Sequence, residues 1–136
     1  MEQCIFCKIV KKEIKNYTVY EDDYVLAFFD INPHARGHTV VIPKEHVETV
    51  LELSEEDLGM IMRGARRAVQ RIESVLRPDG YNIGWNDRPA GGQVVPHLHV
   101  HIMPRWRGDG GGSMHSVVNF PGPCSVADTA KLFVSN

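Results

Sequence analysis

The sequence predicts an α+β domain built on an antiparallel sheet. Three observations carry this: five short β-rich runs, one long helical period set among them, and no regular strand-helix alternation of the kind a parallel sheet requires. The 136 residues suit a single domain, 1–136, with a core at about 4–105 and a tail from 106 to 136. In chain order, "CIFCKIVKKEI" reads as a knuckle followed by a short helical turn. "YTVYEDDYVLAFFDI" alternates as two strands folded into a hairpin around Glu21-Asp22-Asp23. "GHTVVIP", opened by Gly37 and closed by Pro43, is a third strand, and "KEHVETVLEL" after it is expected to form a helical turn or two. Ser54 is placed to cap a longer helix, with Glu55, Glu56 and Asp57 complementing the dipole of its first turn. Leu58, Ile61, Met62, Ala65, Ala68, Val69, Ile72, Val75 and Leu76 then follow a 3.6-residue period until Pro78-Asp79-Gly80 ends it. "YNIGW" is a fourth strand, "NDRPAGGQ" a loop, and "HLHVHIMPR" a fifth strand. The glycine-rich tail from Gly108 offers no pattern, and there is no internal repeat.

Composition narrows the function. With 43% hydrophobic and 24% charged residues the chain is ordinary globular material, and its formal charge of −2 provides no basic stripe for a nucleic-acid duplex. No stretch approaches a membrane span, and the N-terminal residues lack a basic segment followed by a long apolar run, so a cytoplasmic protein is expected. Three cysteines cannot close a disulfide framework, and two of them stand as Cys4-x-x-Cys7.

The most informative stretch is His97-Leu98-His99-Val100-His101. In a strand, alternate residues share a face, so three imidazoles line one side while Leu98, Val100 and Ile102 line the other. Burying an unpartnered polar ring costs about 1–3 kcal/mol, and a row of three accumulates that cost unless the face is used. A site is therefore favoured over packing. Just upstream, Gly91 and Gly92 give a tight exposed backbone and Gln93 an amide, a possible cradle for phosphate oxygens and, taken alone, equally a simple turn. Cys4 and Cys7 are half of a tetrahedral zinc site, a redox dithiol, or two unconnected thiols; the residues leave all three open, although no strand-before, helix-after context supports the dithiol.

The stretch "GGQVVPHLHVHIMPR" resembles the signature of the histidine triad nucleotide hydrolases and transferases, a His-x-His-x-His motif followed by two apolar residues. "CIFCKIVKKEI", "VYEDDYVLAFFDINP", "GHTVVIPKEHV" and "GYNIGWNDRPAGGQ" occur in that family's order, so the resemblance covers nearly everything from Cys4 to Arg105, and "PRWRGDGGG" resembles the tail of bacterial-type members. The resemblance implies a five-stranded sheet extended by homodimerisation. It implies that His99 is a nucleophile that attacks an α-phosphate and forms a nucleotidyl-histidine, with His101 at the transferring phosphate and His38 supporting His101. Asp30 is then the acceptor for ribose hydroxyls, and Asn32, Asn86, Gly92, Gln93 and Val94 are nucleotide or phosphate contacts. Ile5, Phe6 and Phe28 would floor a base pocket. Val94 stands where many members carry a hydroxyl donor, which tilts the expectation from phosphoramidates toward dinucleoside polyphosphates. The resemblance also offers His46 and His97 as the missing half of a structural zinc site with Cys4 and Cys7, with no cofactor required for the chemistry itself.

The expected function is thus cleavage of a purine nucleotide conjugate at its α-phosphate. Two readings of other classes compete: a metal-dependent hydrolase in which a His-x-His pair ligates a catalytic ion, and a nucleotide-binding adaptor with little turnover. Chelation discriminates the first of these, and an intact His99 argues against the second.

Overall fold

A computed structural model describes residues 3–134. Helix α1 (Ile5–Val10) leads into strands β1 (Thr18–Glu21), β2 (Val25–Phe29) and β3 (Thr39–Pro43); helix α2 (Glu55–Leu76) follows, then β4 (Gly80–Gly84), β5 (Val100–Arg105) and helix α3 (Val126–Val134). The five strands form one sheet in the order β1-β2-β3-β5-β4, antiparallel at every pairing. The hairpin expected around Glu21-Asp22-Asp23 is β1–β2. Asp22 closes its turn by accepting the amides of Tyr24 and Val25, both at 2.8 Å, and these bonds hold its carboxyl below the usual range against the opposing effect of burial.

The sheet separates two kinds of chemistry. Ser54 Oγ accepts the Asp57 amide at 3.0 Å to start α2, and Arg77, in left-handed conformation before Pro78, ends it. The buried stripe of α2 is Ile61, Gly64, Ala65, Ala68 and Ile72. It packs on Val19, Val25, Ala27, Val41, Leu98, Val100 and Ile102 from one face of the sheet. Small residues at 64, 65 and 68 let the helix lie close, and each fully buried aliphatic chain contributes about 1.5–3 kcal/mol. Met62 and Val75, which the period placed in this stripe, are exposed: they sit at the margins of a face narrower than the pattern suggested. On the opposite face, Ile9 of α1, with Phe6 and Val10 beside it, packs on Leu26, Phe28, Val40 and Ile42. With Val100 and Ile102 committed to the α2 side, His101 is left to the other.

Two expectations need correction. The stretch 44–53 is not a helical turn or two; only Val50–Glu52 forms a 3₁₀ turn, and β-branched Val47, Thr49 and Val50 favour the irregular path. The Val47 carbonyl there accepts the Leu98 amide at 2.7 Å. The histidine row is also not one regular strand, because β5 begins at Val100. Pro96 has no amide to donate, and the amides of His97 and Leu98 bond to Val95 and Val47 instead of to a strand ladder. The tail is not featureless either: a 3₁₀ turn at Met114–Ser116 and the exposed helix α3 lie in it.

Candidate active site

Ring-nitrogen partners fix the protonation pattern of the histidines. His99 Nδ1 lies 2.7 Å from the carbonyl oxygen of His97, and a carbonyl only accepts, so Nδ1 carries the proton and Nε2 keeps its lone pair. His38 Nδ1 accepts the His34 amide at 3.1 Å, so its proton is on Nε2 and is donated to His101 Nδ1 at 2.9 Å. His101 then carries its proton on Nε2. The chain of bonds leaves one imidazole with a free lone pair and its neighbour, 4.9 Å away between ring centroids, with a free N–H.

Burial keeps these rings neutral. His99 and His38 are depressed below the ordinary histidine value chiefly by desolvation, and the Asp30 carboxylate opposes this at both; at His99 the His97 carbonyl opposes it as well. His101 is depressed furthest, to about 4, by desolvation first and by His99 and His38 next. A neutral imidazole is the nucleophilic form, so burial favours the chemistry that the tautomers allow.

A cavity of about 810 Å³ opens beside the pair. Its wall brings together four of the residues singled out in the sequence, Asp30, His38, Asn86 and His101, along with Trp85, Met103 and Trp106. Asp30 Oδ1 accepts the Asn32 amide at 2.9 Å, and Oδ2 lies 3.8 Å from His38 Nε2. His99 is outside that wall; its ring packs edge-on to Phe6 at 5.0 Å, and Phe6 in turn packs on Phe28. Ile5 is 45% exposed and, like Phe6 and Phe28, does not line the cavity.

The glycine loop is built differently from its expectation. The amides of Gly91, Gly92 and Gln93 bond within the loop, to the carbonyls of Arg88, Pro89 and Arg88, and Gly92 takes φ +96, which a side chain would strain. The Gln93 side chain also serves the loop: Oε1 accepts the Arg88 amide at 2.7 Å, and Nε2 donates to the carbonyls of Glu48 at 2.8 Å and Val95 at 3.1 Å. Among the described residues, the amides of the loop without an intrachain acceptor are those of Val94 and Val95, directly before Pro96. Val94 itself is 89% exposed, and Asn32 is exposed as well.

Sequence reasoning missed His34, whose amide sets the His38 tautomer, and the tail. Arg105 forms a bidentate pair with Asp109 (2.7 and 2.8 Å) and also donates to Asn82 Oδ1 and the Gly112 carbonyl, folding residues 105–112 back over the cavity. Asp109 also accepts the amides of Trp106 and Gly111, and its carboxyl is held far below the usual range. An Arg and an Asp spaced i, i+4 around glycine was the available signal.

A second cluster lies on the α1 side. Ligand atoms of Cys4, Cys7, His46 and His97 fall within 4.8 Å of one another, so this group could bind a metal. The donor chemistry fits. His97 is fully buried, and its Nε2 lies 2.9 Å from the Pro43 carbonyl, so the lone pair is on Nδ1, which faces Cys4 Sγ at 3.4 Å and Cys7 Sγ at 3.6 Å. His46 Nδ1 lies 3.2 Å from Cys7 Sγ, with its Nε2 3.7 Å from Glu48. Both imidazoles thus turn one nitrogen to the thiols and the other to an oxygen partner. The buried position of His97 also corrects the expectation that the histidine face could not be hidden: with both ring nitrogens partnered, the cost of burial is met.

Fold and site together define a protein with paired, complementary imidazoles on one face of an antiparallel sheet. The chain belongs to the HIT family, since residues 11–108 match the HIT domain. It is 48% identical over 107 residues to a HIT-like protein of Methanocaldococcus jannaschii, covering 79% of this chain and 82% of that protein. It is 40% identical over 102 residues to the adenosine 5′-monophosphoramidase of Schizosaccharomyces pombe, covering 75% of this chain and 74% of that protein. The crystal structure of a HIT family member from Bacillus subtilis superposes with a TM-score of 0.82 at 36% identity, over 98% of this chain and 94% of that one. Among the described residues no helix is long and apolar enough to cross a membrane.

Proposed function

We propose that the protein is a nucleotide phosphohydrolase or nucleotidyl transferase that cleaves a purine nucleotide conjugate at the α-phosphate through His99. The observation that carries this reading is the opposite tautomer of the two rings: a lone pair on His99 Nε2 beside a proton on His101 Nε2. In the first step Nε2 of His99 bonds to phosphorus, the bond from phosphorus to the leaving group breaks, and the leaving atom takes the His101 proton. Water then attacks phosphorus, the phosphorus–nitrogen bond breaks, the mononucleotide leaves, and a proton of the water restores His101. The free amides of Val94 and Val95 are the donors for the phosphate oxygens, and Asp30 and Asn86 in the cavity wall contact the nucleotide. His38 orients His101. The phosphoramidase named among the relatives supports a hydrolase of this kind, and either a phosphoramidate or a dinucleoside polyphosphate suits the two steps.

Cys4, Cys7, His46 and His97 would hold a zinc ion, whose role is structural: four protein donors close its coordination. A homodimer in the cytoplasm completes the reading.

Intact mass spectrometry after rapid acid-free quenching with a diadenosine polyphosphate tests the reaction. An adenylyl-sized increment on the wild type and none on His99→Ala is the expected result. Mononucleotide release by His99→Ala at the wild-type rate refutes it.

A further inference from the structure

We infer that Cys4, Cys7 and His46 are positioning residues for the nucleophile, acting through His97, so that filling their metal site sets the tautomer of His99. The inference rests on the metal-site reading above.

His97 is the residue at which the two clusters meet. Its ring faces the two thiols through Nδ1, and its main-chain oxygen is the acceptor that holds the proton on His99 Nδ1, at 2.7 Å. The remaining groups of His97 are also engaged: Nε2 with the Pro43 carbonyl and the amide with the Val95 carbonyl, both within 3 Å. A ring held at both nitrogens cannot swing, so its carbonyl direction follows from where the knuckle holds it.

A second connection runs through His46. Its Nε2 lies 3.7 Å from the Glu48 carboxylate, and the Glu48 carbonyl accepts from Gln93 Nε2 at 2.8 Å, in the loop that carries the free Val94 and Val95 amides. The neighbouring Val47 carbonyl accepts the Leu98 amide at 2.7 Å. The segment 46–48 therefore bonds to the chain on both sides of His97, at Gln93 and at Leu98.

Without a metal, the two thiols and two imidazoles keep only weak hydrogen bonds at 3.2–3.6 Å, several of which compete for the same atoms. His97 Nδ1 is then free to exchange partners, and the carbonyl that selects the His99 tautomer loses its fixed direction. A proton moved from Nδ1 to Nε2 of His99 removes the lone pair that bonds to phosphorus. A knuckle that served stability alone would leave the His99 tautomer unchanged in folded protein.

The test uses full-length protein with ¹⁵N-labelled histidine, and reads the His99 ring by long-range ¹H–¹⁵N spectra during titration with zinc. Wild type is compared with Cys7→Ser and with Glu48→Ala, which keeps all four ligands and the Glu48 carbonyl and is the milder variant if Cys7→Ser does not fold. The expected result is a single Nδ1–H tautomer in zinc-loaded wild type and a mixture in the folded, metal-free protein. In Glu48→Ala the tautomer tracks occupancy at a zinc affinity lowered about 10–100-fold. With it, kcat for the nucleotide conjugate falls about 10–100-fold on metal loss while KM stays within about twofold. Zinc bound with an unchanged His99 spectrum overturns the coupling alone; absence of zinc binding overturns both the coupling and the metal reading. Because the spectra need no substrate, they report the coupling whether or not the nucleotide assignment holds.

Discussion

Gly64 and Gly59 lie in the same helix, and the same substitution should move stability in opposite directions at the two. An alanine Cβ at Gly64 would collide with Val25 Cγ2 and come within 3.3 Å of Val25 Cβ and Cγ1. Val25 cannot yield: it is fully buried, β-branched, and held in a strand paired on both sides. The helix must lift from the sheet, and overpacking of this kind costs about 1–3 kcal/mol. Alanine returns about 1 kcal/mol of helix propensity. With no side chain able to give way, the clash sits at its upper end and the net loss is about 2 kcal/mol, a fall in Tm of roughly 5–10 °C for a chain of this size. At Gly59, which is exposed and has nothing within 4 Å of the added Cβ, only the propensity gain remains, about 1 kcal/mol of stabilisation. Thermal and urea unfolding followed by circular dichroism would check both. Because α2 lies on the face of the sheet away from the histidines, kcat per folded molecule should be unchanged in either variant. A Gly64→Ala protein as stable as wild type, or a pair that shifts in the same direction, would refute the account of how α2 seats.

Acid should destabilise the fold through the buried imidazoles. His101 has its value depressed to about 4 and His38 is also depressed, whereas an unfolded histidine titrates near 6.5, so the native state binds fewer protons over this window. Their contribution is fully present above about pH 6.5 and is lost as pH falls toward 4, with His99, His34 and Asp30 the titratable neighbours that face them; His101→Gln should flatten the Tm profile there, and an unaltered profile would count against it. His38→Ala removes the donor to His101 Nδ1 and should lower kcat about 10–100-fold with a smaller change in KM, measured by steady-state kinetics. Asp109→Asn weakens the clasp on Arg105, so residues 105–112 should show faster amide exchange while the exchange of the core strands stays as in wild type. Light scattering at micromolar concentration should report a dimer mass.

Local physics made much of this protein legible in its sequence. The cap at Ser54, the stop at Pro78, the β1–β2 turn and the alternation of Leu98, Val100 and Ile102 against the histidines each depend on residues a few positions apart, and the structure reproduces them. Spacing alone could not give roles to the three histidines. His97, His99 and His101 share one side chain and one pattern, and they differ only in what reaches them: two thiols and Pro43, the His97 carbonyl, and His38. Those partners come from residues up to 93 positions away, brought together by strand pairing and the placement of α1. The same holds for the loop before Pro96, where composition pointed to the glycines but the backbone path engages their amides and leaves those of Val94 and Val95 free. The sequence thus determined that a histidine site lies on one face of an antiparallel sheet. Which nitrogen of each ring holds a proton, and so which chemistry each can perform, was decided by tertiary contacts, because a tautomer is set by the partner across the hydrogen bond and not by the ring that carries it.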